Sequence, residues 1–346
     1  MGKQSYLLVL FMLLSVPPGA TAQGNQEAFD LQAHRGGMGL MSEGTLAAFA
    51  NALELGVSTL ELDTQLTRDG EVVVTHDRQV QARNCQDTAP AFANDPDYPY
   101  VGKYIKNLSL AQVQTLDCGS KRLDVHPDQQ TVPGASMPLL KEVLELVKQY
   151  QAHGLMLNIE TKVEAGAPEE TAPRDEFVRG VLAVIADSGI QNQVTIQSFD
   201  WGALMLVRDL APDIPVVALT NGQSFLRCGE AGRSAWLGGL DMDDFDCDVV
   251  AAAHSFGASA LSPVHGHPQD GRIGDTDYVP FVTADMIQRA HSLGMKVIPW
   301  TVDDKATMAY LIELGVDGLI TDYPDRLREV LAEQGRALPR SYLPEQ

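Results

Sequence analysis

The stretch of sequence that decides the fold runs from residue 155 to residue 220. It contains three short apolar runs, which read LMLNIE at 155–160, VTIQS at 194–198 and VVALT at 216–220. A longer segment with helical spacing or a turn separates each run from the next. Buried parallel strands that are joined by crossover connections give this pattern. We therefore predict three neighbouring parallel strands in this part of the chain.

The same pattern continues in both directions, so that eight apolar runs alternate with segments of helical character. The runs are 30–33, 59–63, 155–160, 194–198, 216–220, 258–262, 296–300 and 318–321. Helices are predicted at 46–55, 139–150, 201–210, 284–293 and 305–314, which follow Thr45, Pro138, Asp200, Thr283 and Asp304. Eight strand and helix units predict an α/β fold of the TIM-barrel class.

Two stretches depart from this rhythm, and the first is a hairpin after the second strand. Asp69-Gly70 stands between two apolar runs and is a strong hairpin signal. If these two residues form the loop, Asp63 lies directly opposite His76. The second departure, from about residue 77 to 138, is rich in Asp, Pro and Tyr and is interpreted as an insertion that caps the barrel mouth.

The first 22 residues have the features of a signal peptide. Lys3 is followed by an apolar core from Tyr6 to Leu14 and by a small-residue cleavage site at 20–22. The apolar run is too short to span a membrane, so we expect no stable membrane anchor. The mature chain, 23–346, is predicted to be one barrel domain that is exported to the periplasm or secreted.

The chain has 346 residues and a formal net charge of -21. Binding to nucleic acid phosphates needs clustered Lys and Arg, so a nucleic acid partner is not expected and a small molecule is favoured. The oligomeric state stays open.

Four cysteines follow the predicted signal, and in an oxidising compartment they form two disulfides most simply. Three pairings are possible. Our prediction is the neighbouring pairs, Cys85 with Cys118 and Cys228 with Cys247.

Polar residues at the ends of the predicted strands are candidates for catalysis, because barrel enzymes place reactive groups there. Glu61, Asp63 and Glu160 are carboxylates on adjacent strands, and such oxygen ligands suit one hard divalent cation, Ca²⁺ or Mg²⁺. His34 and His76 can serve as the acid and the base in cleavage of a phosphodiester. The predicted substrate-binding residues are Arg35, Lys162, Gln197 and Trp300.

In their order along the chain, these residues resemble the signature of the glycerophosphodiester phosphodiesterase family. The motifs are His34-Arg35-Gly36, Glu61-Leu62-Asp63, His76-Asp77, Glu160-Thr161-Lys162, Gln197-Ser198-Phe199, Trp300-Thr301-Val302 and Gly318-Leu319-Ile320-Thr321-Asp322. The resemblance implies a TIM barrel with a capping insertion, a cation on the three carboxylates and the two histidines as acid and base. It implies release of sn-glycerol 3-phosphate and an alcohol, with attack by the substrate's own glycerol hydroxyl through a cyclic phosphate.

The chain departs from the family pattern at two places. It has Ser42-Glu43-Gly44-Thr45 where the family usually has Pro-Glu-Asn-Thr, and Asp303 where Asn commonly follows the Trp-Thr-Val run. Both changes bear on substrate geometry or headgroup preference.

Two other functions are weighed against a glycerophosphodiesterase. An enzyme acting on lysophospholipids needs an aromatic or apolar groove near Trp300, and the sequence indicates none. A non-catalytic exported protein that binds a phosphorylated ligand has no need of both histidines. His265 and His267 are expected to be solvated, and residues 241–248 are expected to form an acidic turn rather than a calcium site.

Overall fold

The structure is a computed structural model that describes residues 1–2 and 28–344, and of residues 223 and 224 only the backbone. The predicted signal peptide lies almost entirely outside the described residues. No helix within the described chain is both long and apolar enough to cross a lipid bilayer.

The strands are β1 Asp30–Ala33, β2 Thr59–Leu66, β3 Val72–Val74, β4 Gln86–Asp87, β5 Leu116–Asp117, β6 Met156–Thr161, β7 Val194–Ser198, β8 Val216–Thr220, β9 Ala260–Pro263, β10 Gly266–His267, β11 Val279–Pro280, β12 Lys296–Val297 and β13 Gly318–Thr321. Eight of them are parallel, in the order β12-β9-β8-β7-β6-β2-β1-β13. Hydrogen bonds from Val302 N to Ile320 O and from Ile320 N to Pro299 O join the segment after β12 to β13. This is a nearly closed barrel.

The predicted TIM barrel is therefore confirmed, and each of the eight apolar runs overlaps one barrel strand. The seventh run was expected to continue to Trp300, whereas β12 ends at Val297. Pro299 has no N–H to donate, and this interrupts the regular ladder at that point. The segment stays beside β9 through hydrogen bonds from Ile298 N to Leu261 O and from Trp300 N to Pro263 O.

The helices are α1 Leu46–Leu55, α2 Leu110–Val113, α3 Leu140–Gln149, α4 Arg174–Ser188, α5 Trp201–Leu210, α6 Gln223–Leu226, α7 Val249–Ser255, α8 Ala284–Ser292, α9 Lys305–Leu314 and α10 Pro324–Glu333. All five predicted helices are present. Thr45, Asp200, Thr283 and Asp304 are N-caps whose side chains accept hydrogen bonds from the first turn. The helices α2, α4, α6, α7 and α10 were not predicted from the sequence. The N-cap of α4 is Pro173, which has no side-chain acceptor.

The hairpin is present, but its predicted register was wrong by one residue. β2 pairs with β3 through Thr64 and Val74, and Thr75 N donates to Asp63 O, so Asp63 lies opposite Thr75 rather than His76. The loop has three residues, because Thr67 N–H donates to Glu71 O around residues 68–70. Gly70 at its end has a left-handed φ of 83°, which glycine adopts without strain and which permits the longer loop.

Residues 77–138 lie between β3 and α3 and have an apolar cluster of their own. The cluster includes Tyr100, Ile105, Leu108 and Val113, all of which are fully buried. The segment also contains the short antiparallel pair of β4 and β5 and the disulfide between Cys85 and Cys118, one of the two predicted pairings. Its side chains reach the carboxyl ends of the barrel strands, where they line the pockets described below.

The second predicted disulfide, between Cys228 and Cys247, is not formed, and both residues are free, exposed cysteines. The Cys247 Sγ–H is directed at Asp243 Oδ1, 4.0 Å away, and Cys247 has a left-handed φ of 61°. Burial, followed by the neighbouring Cys247 thiol, raises the pKa of Cys228 to about 12. The Cys228 thiol therefore stays protonated at neutral pH, and thiolate attack is suppressed.

Candidate active site

One cavity of about 310 Å³ lies at the carboxyl ends of the barrel strands. All nine residues proposed from the sequence for catalysis, cation binding or substrate binding line this cavity: His34, Arg35, Glu61, Asp63, His76, Glu160, Lys162, Gln197 and Trp300. The two histidines therefore face a single space, as a shared acid and base require.

Three buried carboxylates converge at the base of this cavity. Glu61 and Asp63 are two residues apart on β2, so both point to the same face of the strand. Asp63 pairs in register with Glu160 on the neighbouring strand β6. One oxygen from each of the three residues lies within 4.8 Å of the others, and each residue is no more than 5% exposed.

The electrostatics of this cluster fit a divalent cation. Within the part of the chain that the structure describes, neither Asp63 oxygen accepts a hydrogen bond, although Arg35 Nε lies at 3.1 Å and Lys162 Nζ at 3.6 Å. Burial and the other carboxylates raise the pKa of Glu61 to about 7 and that of Glu160 to about 8. Three buried oxygen ligands whose charges repel one another suit a hard cation such as Ca²⁺ or Mg²⁺.

His34 follows β1 and is held by a carboxylate from the end of β13. Its Nδ1 lies 2.5 Å from Asp322 Oδ1, which orients the imidazole into the cavity. Burial and Arg35 lower the pKa of His34, but Asp322 and Glu61 outweigh them and raise it to about 9. His34 is therefore an imidazolium at neutral pH, with a proton available for donation.

His76 follows β3 and lies in the opposite electrostatic environment. Its Nδ1 is 3.0 Å from Asp77 Oδ1, and the other oxygen of Asp77 pairs with Arg83 at 2.6 Å. Burial, then the positive charges of Arg35 and Lys162, lower the pKa of His76 to about 4. His76 is therefore a neutral imidazole at neutral pH and can accept a proton.

The two basic residues of the cavity are already engaged with carboxylates. Arg35 adopts a left-handed φ of 51°, its N–H donates to Glu61 Oε2 at 2.9 Å, and its guanidinium reaches Glu43 at 2.6 Å. Glu43 belongs to the altered Ser-Glu-Gly-Thr segment noted in the sequence. Lys162 Nζ lies 3.1 Å from Glu160 Oε1. Both residues therefore supply positive charge at the cavity wall while they neutralise the acidic cluster.

Gln197, which is predicted to bind substrate, lines the cavity, and its amide makes hydrogen bonds to two neighbouring side chains. Its Nε2 donates to Glu61 Oε1 at 2.7 Å, and its Oε1 accepts from Asn158 Nδ2 at 2.8 Å. Asn158 also donates to Gln32 Oε1, so a buried hydrogen-bonded chain rises through the barrel interior to the carboxylate. Gln197 is 1% exposed and holds Glu61 in place.

Two residues near the site were missed as site residues by the sequence analysis. Asp322 directly follows the last barrel strand, so the strand-end rule applied to His34 would have identified it. His126 comes from the segment between β3 and α3, and its Nε2 lies 3.3 Å from Asp322 Oδ2. Nothing in the local sequence indicates that His126 reaches Asp322 at the end of β13, because this contact depends on how the segment packs.

An aromatic cluster beside Trp300 was also missed, and the expectation that none exists was wrong. The rings of Trp300, Phe199, Phe225 and Trp236 follow one another, with centroid separations of 5.3, 5.4 and 4.4 Å. Phe199 follows β7, Trp300 follows β12, and Phe225 of α6 and Trp236 lie in the connection between β8 and α7, so no continuous aromatic stretch reveals them.

The structure also tests the sequence predictions for His265 and for the acidic residues 241–248. His265 is buried rather than solvated, since its ring nitrogens contact Tyr278 Oη at 2.8 Å and Gln269 O at 2.9 Å. In residues 241–248, Asp241 and Asp248 accept hydrogen bonds from the first turns of short helices. The acidic segment thus forms caps and turns, as expected.

A TIM barrel whose buried carboxylates and two histidines line one cavity is compatible with the class of phosphodiester hydrolases. The family model described as the glycerophosphoryl diester phosphodiesterase family matches residues 34–326. The chain belongs to this family and is an enzyme of its glycerophosphodiester phosphodiesterase class.

Relatives and solved structures agree with this assignment. A glycerophosphodiester phosphodiesterase of Caldanaerobacter subterraneus is 27% identical over 88% of this chain and 98% of the relative. One from Bacillus subtilis is 25% identical over 95% of this chain and 98% of the relative. A solved structure from Silicibacter pomeroyi, of a candidate glycerophosphoryl diester phosphodiesterase, has a TM-score of 0.72 and 28% identity and covers 91% of this chain and 96% of its own.

Proposed function

We propose that the chain hydrolyses glycerophosphodiesters to sn-glycerol 3-phosphate and an alcohol with the help of one divalent cation, Ca²⁺ or Mg²⁺. The observation that carries this proposal is the convergence of His34, His76 and the three carboxylates on one cavity. A solved phosphodiesterase from Oleispira antarctica, with a TM-score of 0.62 and 22% identity, is in complex with the product sn-glycerol-3-phosphate and supports the choice of substrate.

The surroundings of the two histidines support different roles for them. His76, which burial and then the neighbouring Arg35 and Lys162 keep neutral, accepts the proton of the glycerol hydroxyl as the hydroxyl oxygen forms a bond to phosphorus. His34, which Asp322 holds as an imidazolium, donates its proton to the alcohol oxygen as the bond from phosphorus to that oxygen breaks. In the second step the roles reverse, and water opens the cyclic phosphate to sn-glycerol 3-phosphate.

The carboxylates of Glu61, Asp63 and Glu160 would hold the cation. A bound Ca²⁺ or Mg²⁺ supplies positive charge that polarises the phosphoryl oxygens. Lys162 and Arg35 add positive charge on the same wall, and Gln197 and the Arg35 backbone N–H fix the Glu61 carboxylate. The protein's own side chains therefore orient the cation ligands and transfer the protons.

We also propose that the protein is exported to the periplasm or the cell exterior and acts there on small molecules, without a nucleic acid partner or a stable membrane anchor. The features of residues 1–22 and the net charge of -21 support this proposal. Determination of the N-terminal sequence of the protein recovered outside the cytoplasm is the test. A mature chain that begins at Gln23 is the expected result, and an uncleaved cytoplasmic chain contradicts it.

The central experiment measures release of glycerol 3-phosphate from glycerophosphodiesters by the purified protein. We expect activity that stops in chelator and returns with Ca²⁺ or Mg²⁺. His34→Asn and His76→Asn should each lower kcat by about 10²–10⁴-fold with unchanged circular dichroism. His291→Asn is the matched control, because His291 pairs with Asp317 at the opposite end of the barrel.

The alternatives predict different results in the same assay. Cleavage of lysophospholipids but not of glycerophosphodiesters assigns the enzyme a lipid substrate. Tight binding of a phosphodiester without turnover indicates a binding protein. Full activity in His34→Asn or in excess chelator contradicts the proposed mechanism directly.

A further inference from the structure

A second pocket, of about 530 Å³, opens beside the catalytic cavity and shares part of its wall. The shared residues are His76, Glu160, Lys162, Phe199, Gln269 and Trp300. We call it the aromatic pocket and define it by the rings of Trp300, Phe199, Phe225 and Trp236 together with Arg78, Tyr104, Glu164 and Glu170. A substrate whose phosphate reaches the shared wall would extend one of its two ester groups into this pocket.

The rings form a continuous row that leads away from the catalytic cavity. Trp300 and Phe199 meet edge to face, and Phe199 and Phe225 do so as well. Phe225 and Trp236 are stacked, with centroids 4.4 Å apart and an interplanar angle of 25°. Trp300 is fixed by a hydrogen bond from its Nε1 to Ser262 O at 3.0 Å. Aromatic ring faces carry partial negative charge and attract cations.

The acidic side of the pocket has an excess of negative charge. Arg78 is shared between two carboxylates, with Nη1 3.0 Å from Glu164 Oε2 and Nε bonded to Glu170. Tyr104 Oη donates to the other oxygen of Glu170 at 2.7 Å. One arginine between two glutamates leaves one net negative charge, and both glutamates are at most 22% exposed.

The Glu164 carboxylate and the Trp236 indole both lie close to Gly166. A Cβ atom placed on Gly166 would lie 3.1 Å from Glu164 Oε1 and 3.6 Å from Trp236 Cζ2. The Gly166 N–H donates to the same Glu164 oxygen at 3.1 Å, which fixes its position. The negative charge is therefore held next to the outermost ring of the row.

We propose that the aromatic pocket binds the alcohol half of the substrate and selects a cationic alcohol, with a quaternary ammonium group such as that of choline. This inference rests on the proposed function and specifies its substrate. A quaternary ammonium has no N–H groups to satisfy, so ring faces and one unneutralised carboxylate charge are suitable partners. An acyl chain is disfavoured, because it would desolvate Arg78, Glu164 and Glu170 without replacing their contacts with water.

The test compares two substrates of the same shape and different charge. Glycerophosphocholine and the 3,3-dimethylbutyl ester of glycerol 3-phosphate differ in that a quaternary carbon replaces the quaternary nitrogen. Release of glycerol 3-phosphate from each is measured with the full mature protein. We expect kcat/KM to favour the choline ester by about tenfold, in the range of cation–π interactions.

Substitutions in the aromatic pocket then test whether its residues cause the preference for the choline ester. Trp236→Ala and Glu164→Gln should each lower the ratio of the two kcat/KM values at least about threefold, mainly through KM of the choline ester. Trp236→Phe keeps an aromatic ring and should retain most of the preference. Phe92→Ala is the control, because Phe92 is 50% exposed and does not line the pocket.

Each outcome decides the inference separately from the proposed function. Equal kcat/KM for the two esters in the unmodified protein, or an unchanged ratio in Trp236→Ala, overturns the inference while hydrolysis itself stands. Preferred cleavage of lysophosphatidylcholine over glycerophosphocholine overturns it in favour of an acyl chain. If no phosphodiester is cleaved, the proposed function fails, and calorimetric titration with choline decides the inference: binding that Trp236→Ala weakens supports it, and absence of binding overturns it.

Discussion

Asp303 carries a negative charge that the fold disfavours, and substitution by asparagine tests this reasoning. Its Oδ1 accepts hydrogen bonds from Thr321 Oγ1 at 3.1 Å and from the Asp322 N–H at 2.9 Å. Burial, followed by the Asp322 carboxylate, raises the pKa of Asp303 from 3.8 to about 6. An asparagine oxygen can accept both hydrogen bonds, so Asp303→Asn removes the charge and keeps the contacts.

The sign and the size of the effect follow from proton linkage. The folded protein binds this proton more tightly than the unfolded chain, so the stabilising contribution is complete below pH 3.8 and is lost as the pH rises through about 6. The difference between a pKa of 3.8 in the unfolded chain and one of about 6 in the folded protein corresponds to about 3 kcal/mol above the folded pKa. The gain in stability of Asp303→Asn over the unmodified protein should therefore grow by about 2 kcal/mol between pH 4.5 and pH 7.5.

Urea unfolding at these two pH values, in chelator so that cation binding does not contribute, measures the difference. Asp304→Asn is the matched control, since Asp304 caps α9 by accepting from Thr307 N at 2.9 Å and asparagine caps helices equally well. The control should change stability by at most about 0.5 kcal/mol at either pH. An equal gain for Asp303→Asn at both pH values, or no gain at pH 7.5, would refute the reasoning.

Three other substitutions test the core, the histidine pair and the carboxylate cluster. Trp201 is fully buried, and its indole N–H donates to Leu219 O at 2.9 Å. Trp201→Ala should therefore lower the free energy of unfolding, measured by urea titration, by about 3–5 kcal/mol. A decrease below about 1 kcal/mol contradicts this prediction. His126→Ala leaves Asp322 with one imidazole partner, that of His34, and should lower kcat about tenfold with little change in KM. Steady-state kinetics test this. An unchanged kcat would show that His126 does not help to orient the catalytic acid His34. Asp63→Asn should abolish most of the rise in melting temperature on addition of Ca²⁺, and an unchanged rise would place the cation elsewhere.

The barrel and most of its helices could be predicted because their signals are local. Thr45 and Asp200 cap the helices that follow them through hydrogen bonds that span two or three residues. Apolar runs such as 194–198 become strands because they are buried on both faces, which their composition already indicates. The strand-end rule then located nine residues that line one cavity, although Gln197 supports a carboxylate there.

The exact register of the hairpin and the contacts between residues distant in sequence could not be predicted from local signals. The composition of the hairpin fits a loop of two or three residues, and the strand-pairing hydrogen bonds selected three. Cys228 and Cys247 are close in sequence and their thiols are neighbours, yet both are free cysteines. Likewise, the four aromatic rings near the site come from the segments that follow β7, β8 and β12, and they meet only in the folded protein.

The sequence by itself determined the eightfold barrel, the family and the residue types at the strand ends, since these depend on local composition and order along the chain. Only the tertiary structure decided how the two histidines differ. Asp322, 288 residues from His34, contacts it and raises its pKa, whereas Arg35 and Lys162 approach His76 and lower its pKa. The physical reason is that the Coulomb interaction depends on distance in space, and folding alone sets those distances.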